Sequence, residues 1–66
     1  MTPAQAIAQA LLRCAARARE FEEDNLPRDE PPPLAQRRAG MRVAAREIGE
    51  WLEDCAAEYE AKGASN

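Results

Sequence analysis

Apolar positions recur along this chain with a helical period on both sides of one interruption. Ala4, Ile7, Leu11, Cys14, Ala18 and Phe21 follow one another at steps of three and four. Leu34, Met41, Ala45, Ile48, Leu52, Cys55 and Tyr59 do the same, with Arg38 in the one slot that lacks an apolar residue. That spacing places side chains on one face of a helix. Between the two runs lies an acidic, proline-bearing stretch from Glu20 to Pro33. The pattern predicts an all-α fold, a two-helix antiparallel hairpin within one domain. The first helix is expected over 3–24, a proline-rich turn over 25–33, the second helix over 33–61 and a frayed tail over 62–66.

Local signals set these limits. Thr2 can cap, Pro3 suits the first helical position, and Gln5 stands where a capping-box side chain reaches back. Asn25-Leu26-Pro27 ends the first helix, because the residue before a proline avoids the helical region. Three successive prolines favour an extended connection, and Pro33 can open the second helix. Gly40 and Gly49 lie inside that helix. Each is expected to let a neighbouring helix approach closely, with a kink at Gly40 as the other reading.

Charge placement supports the antiparallel arrangement. Glu20, Glu22, Glu23 and Asp24 crowd the end of the first helix, and Arg37, Arg38 and Arg42 the start of the second; both clusters carry the wrong sign for their helix dipoles. Folding the chain back lets each meet the other. If Asp24 faces Pro33, the last two turns of the second helix overhang, with Trp51, Leu52, Cys55 and Tyr59 at or near that projecting end, where intrachain cover is thinnest. In that register Cys14 and Cys55 lie roughly 18 Å apart along the axis, which excludes an intrachain disulfide. Both cysteines are then expected to pack as core residues.

Composition narrows the function. The chain has 66 residues, and of its 45% hydrophobic content fifteen residues are alanine. Two such helices hide only part of each large side chain, so a second copy or another protein is expected to cover the rest, two hairpins pairing into a four-helix assembly. A net charge of −3 argues against a general nucleic-acid binder. No histidine is present, and Lys62 is the one lysine, so no nucleophile–base pair or soft-metal cluster presents itself. Neither catalysis, cofactor, metal nor small-molecule substrate is expected. No run is long and uncharged enough for a membrane span, and no signal peptide is evident; the chain is expected in the cytoplasm.

Candidate interaction residues remain. Trp51 and Tyr59 are of the kind that anchor interfaces, and Met41, Ile48, Leu52 and Cys55 share their helix. Together these six are the expected dimer or partner contacts. Arg38, Arg42 and Arg46 step by four and share a face, as on a phosphate-binding helix, but pairing with Glu20–Asp24 competes with that use. The acid-rich stripe Glu47, Glu50, Asp54 and Glu58 is expected to be a solvated face.

In architecture the expected hairpin resembles plasmid copy-number regulators of the Rop type, which implies the alternative of a nucleic-acid-associated regulator. The segment from Gln36 to Ile48 carries Arg38-x-Gly40-Met41-x-x-Ala44-Ala45-x-x-Ile48 after an acidic, proline-bearing turn. It is similar to the second helix of many short proteins of tailed phages and prophages. That resemblance covers about half of the chain and implies a phage accessory protein acting inside the host cell. Such proteins include inhibitors of host transcription regulators (quorum-sensing anti-activators among them) and of defence complexes (anti-CRISPR proteins). A structural or assembly subunit of a phage particle is a further alternative.

Overall fold

The computed structural model describes residues 1–65, with nothing described of the Ser65 side chain. Two helices, α1 (Pro3–Asp24) and α2 (Pro32–Ser65), pack along each other as an antiparallel hairpin, in a rod of 53 × 14 × 10 Å. Thr2 caps α1: its hydroxyl accepts from the Gln5 N–H at 3.1 Å, and the Gln5 Oε1 accepts from the Thr2 N–H at 2.9 Å. This reciprocal box satisfies two amides that would otherwise lack partners.

The start of α2 solves the same problem differently. Pro32 and Pro33 have no N–H to leave unpaired, and the amides of Leu34 and Ala35 both donate to the Pro31 carbonyl at 3.0 Å. At its other end α2 continues through Lys62 and Gly63 to Ser65, where a frayed tail from residue 62 was expected. Asn66 lies outside the described residues. The reason for the extension is packing: Gly63 is buried against the α1 N-terminus.

The seam between the helices is made of small residues. Among the described residues Ala8, Ala15, Ala45 and Ala56 are the buried hydrophobic ones, and no large side chain is fully buried. Ala8 and Ala15 are seven apart, and so are Gly49, Ala56 and Gly63, all of them buried. A repeat of seven keeps one seam facing a partner helix, and small side chains let the backbones close together. A Cβ built on Gly49 would lie 3.6 Å from the Ala18 Cβ, which is ordinary contact. Gly40 has nothing within 4 Å of a built Cβ, so close approach does not account for it, and α2 is one helix through it.

The register differs from the expected one. Gly49 sits on Ala18, Arg46 pairs with Glu22, Arg42 reaches Asn25, and Gly63 lies against Gln5. This is a slip of about ten residues, close to three turns. The α2 overhang is therefore at the turn end, over its first turns from Pro32. The turns carrying Leu52, Cys55 and Tyr59 lie alongside α1 and are half-buried. The stiff segment from Leu26 to Pro31 does not double back at once; it runs beside the overhanging turns and is held there by arginines.

Candidate interaction surface

Asn25 organises the turn end. It is 6% exposed and has every polar group engaged. Its amide nitrogen donates to the Phe21 carbonyl at 2.8 Å, closing the last turn of α1. Its side-chain oxygen accepts from Arg38 Nη1 at 3.2 Å, and its carbonyl accepts from Arg42 Nη1 at 2.8 Å. Arg38 also donates to Glu30 at 2.6 and 3.2 Å, and Arg46 to Glu22 at 3.0 Å. The α1 last turn contains no basic residue. These guanidinium groups bring the missing positive charge from α2 to the exposed carbonyls of α1.

The Arg38–Glu30 pair is the least exposed of the four ion pairs among the described residues, with side chains 23% and 13% exposed. The Arg38 hydrogen bond holds the Glu30 carboxyl below its ordinary range, against the opposing effect of burial. The same bond raises the Arg38 guanidinium. Arg38, Arg42 and Arg46 are thus committed within the hairpin. Sequence reasoning named the acids Glu20–Asp24 as their partners; Glu22 is one, but Glu30 and Asn25 were missed. Arg38 and Glu30 are eight residues apart across a turn, and no local pattern signals that contact.

One long side of the hairpin carries the ion pairs that join α1 to α2, and the other an apolar groove. On the charged side Arg19 hydrogen-bonds Glu53, which raises the Arg19 guanidinium further, and Arg46 meets Glu22. On the opposite side an apolar groove of about 350 Å³ lies open between the helices. Arg17, Ala18 and Phe21 line it from α1, and Met41, Ala44, Ala45 and Ile48 from α2. Phe21 is 46% exposed and Ile48 52% exposed. Ile7 and Cys14 continue this side at intervals of seven from Phe21; Leu34 and Cys55 continue it from Met41 and Ile48.

The two expected seams are therefore each split. Ala4, Leu11, Ala18, Ala45, Leu52 and Tyr59 face into the hairpin, buried or half-buried, while Ile7, Cys14, Phe21, Leu34, Met41 and Ile48 are exposed. Cys14 is not a core residue. Nor are the cysteines far apart along the axis: the observed register brings Cys14 and Cys55 to nearly the same level, both free. Trp51 is 64% exposed, beside the groove and seven residues beyond Ala44. Tyr59 is half-buried, with the Lys62 ammonium 4.7 Å from its ring centre.

Among the described residues no group of three or more Cys, Asp or Glu is placed to hold a metal ion, and no helix is long and apolar enough to cross a membrane. Compared with known proteins, the chain matches no family model, no curated sequence and no solved structure. The fold and the surface define an all-helical hairpin with one open apolar face.

Proposed function

We propose that this chain is a small, non-catalytic protein–protein interaction module, a homodimer of hairpins in a four-helix assembly. In this reading it inhibits a host regulatory protein or defence complex in the host cytoplasm by occupying its surface. The observation that carries it is the open apolar face: of ten exposed large hydrophobic side chains among the described residues, Phe21, Met41 and Ile48 line the groove, and Ile7 and Leu34 continue it, while alanines fill the core. Contiguous exposed apolar surface of this kind marks an interaction site. The phage-type segment from Gln36 to Ile48 supports the inhibitor role. A nucleic-acid regulator ranks lower because Arg38, Arg42 and Arg46 are spent on α1 and the turn. Nothing observed favours a particle subunit.

The test is affinity capture from host lysate with wild type and Trp51→Ala, each sized in parallel. Recovery of one stoichiometric protein by wild type, lost in Trp51→Ala, is the expected result. Equal recovery by both overturns the role of Trp51 as anchor. A dimer that captures nothing overturns the inhibitor.

A further inference from the structure

The exposed charges bordering the open face are arranged as a palindrome. Along the outer edge of α1 run Arg13, Arg17, Glu20 and Asp24, two bases followed by two acids. Placed antiparallel on a copy of itself, this edge sets Arg17 against Glu20 and Arg13 against Asp24, and both pairs occur twice. The edge of α2 beside the groove repeats every seven residues as Arg37, Ala44, Trp51 and Glu58. Its antiparallel copy sets Arg37 against Glu58 and the small Ala44 against the large Trp51. Both edges are exposed; Arg17 and Glu20 already pair with each other within α1 at 2.7 Å, so a second copy would share that pair, whereas Arg13, Arg37, Glu58 and the Asp24 carboxylate have no ion-pair partner among the described residues.

The two palindromes share a centre. That of α1 lies between Arg17 and Glu20, at the level of Ala18; that of α2 lies at Ile48. In the hairpin Ala18 packs on Gly49, the neighbour of Ile48. One two-fold axis therefore satisfies both helices. We infer that the occupant of the apolar face is a second copy of this chain, related by a two-fold axis perpendicular to the helices at the level of Ile48, so that α1 lies antiparallel on α1 and α2 on α2. This rests on the reading of that face as an interface and adds its geometry.

A two-fold interface must be self-complementary, and this one is. Ile48 meets its own counterpart, Met41 lies opposite Cys55, and Phe21 enters between Cys14 and Ala18 of the second copy. The face runs from Leu34 to Ile7, roughly 40 Å by two helix diameters, or on the order of 800 Å², which is what a stable dimer buries on each partner. The alternative two-fold axis, parallel to the helices, would lay α1 on α2 at equal levels and bring Glu20 against Glu47. The antiparallel arrangement also creates a like pair, Glu47 level with its own counterpart, screened by water as Glu20 against Glu47 would be, so the choice of axis rests on the opposite-charge pairs of the two edges.

Charge swapping tests the register. Arg13→Glu, Arg17→Glu makes the α1 edge wholly acidic, and Glu20→Arg, Asp24→Arg makes it wholly basic. In sedimentation equilibrium each variant alone should dimerise about tenfold or more weakly than wild type, and an equimolar mixture should recover wild-type affinity as a heterodimer. A second measurement does not depend on charge. In a Cys14→Ser, Cys55→Ser background, Ile48→Cys should form a symmetric disulfide dimer under a glutathione redox buffer. A wild-type dimer whose swapped variants show no preference for each other, and whose Ile48→Cys form does not cross-link, overturns this geometry while leaving the interface. A wild-type chain that stays monomeric at 7.3 kDa overturns the second copy as occupant, and capture of another protein then decides the function separately.

Discussion

On the charged side of the hairpin, Arg19–Glu53 and Arg46–Glu22 tie α1 to α2 across a seam of alanine and glycine. On the other side Phe21, Met41 and Ile48 stand half in water around an open groove. The difference separates two tasks that a larger core would combine. Backbones brought close by small residues, with polar groups satisfied at both ends, define the hairpin; the large side chains are left for association. Seam and face should therefore respond differently to mutation. Ala15→Leu puts four-carbon bulk where the helices touch and should destabilise by about 1–3 kcal/mol, lowering the melting temperature at every protein concentration. Ile48→Ser should act chiefly by removing the rise of melting temperature with concentration that a dimer shows. If both variants behaved alike in a concentration series of thermal melts, the division would fail.

The glycines sharpen the same contrast. A Cβ on Gly63 would come 2.7 Å from the Gln5 Cγ and 3.0 Å from the Thr2 hydroxyl. Gly63→Ala should therefore disturb the capping box and cost about 1 kcal/mol. Gly49→Ala adds a methyl at ordinary contact distance, and Gly40→Ala adds one in open space. Both should stabilise, by up to about 1 kcal/mol, through helix propensity. Urea melts of the three variants supply the comparison; a loss of stability in Gly40→Ala would show that the open space around it is filled in the assembled protein.

The fold class was legible because apolar period, caps and prolines all point to two helices. Thr2 and Gln5 announce their box within four residues of sequence. Register was not legible, because two adjacent heptad lines on each helix could serve as the seam. Large side chains at Phe21, Met41 and Ile48 look like core by hydrophobicity, yet Ala8, Ala15, Gly49, Ala56 and Gly63 win because they permit closer backbones. Taking the two lines together as one seam hid the open face, and starting the facing at the turn misplaced the overhang. The turn-end cluster of Asn25, Glu30, Arg38 and Arg42 escaped for a related reason: its partners meet only once the chain between Leu26 and Pro31 is laid along α2.

That cluster should make the turn end sensitive to acid. Glu30 has its carboxyl lowered from an ordinary value of 4.5 by Arg38. A lowered folded-state value contributes stability above the unfolded value, and that contribution disappears as pH falls through the folded one. Stability of wild type relative to Glu30→Gln should be constant from neutral pH to about 5 and then shrink below 4.5. A difference that stayed flat to pH 3 would mean the pair contributes nothing in solution.

The smallest effect is expected from the ion pair that looks strongest in isolation. Arg19 grips Glu53 through both Nε and Nη2, across the seam, but their side chains are 47% and 43% exposed. Water screens such a pair and two flexible side chains must be ordered to form it, so most of its Coulomb energy is cancelled. Arg19→Gln should leave the melting temperature within measurement scatter at physiological salt, and Glu53→Gln likewise. Lowering the salt should reveal a slight loss in each single variant and no further loss in the double variant. A large effect of either substitution at physiological salt would mean that the charged side holds the hairpin closed, and the small-residue seam would lose its place as the main determinant of the fold.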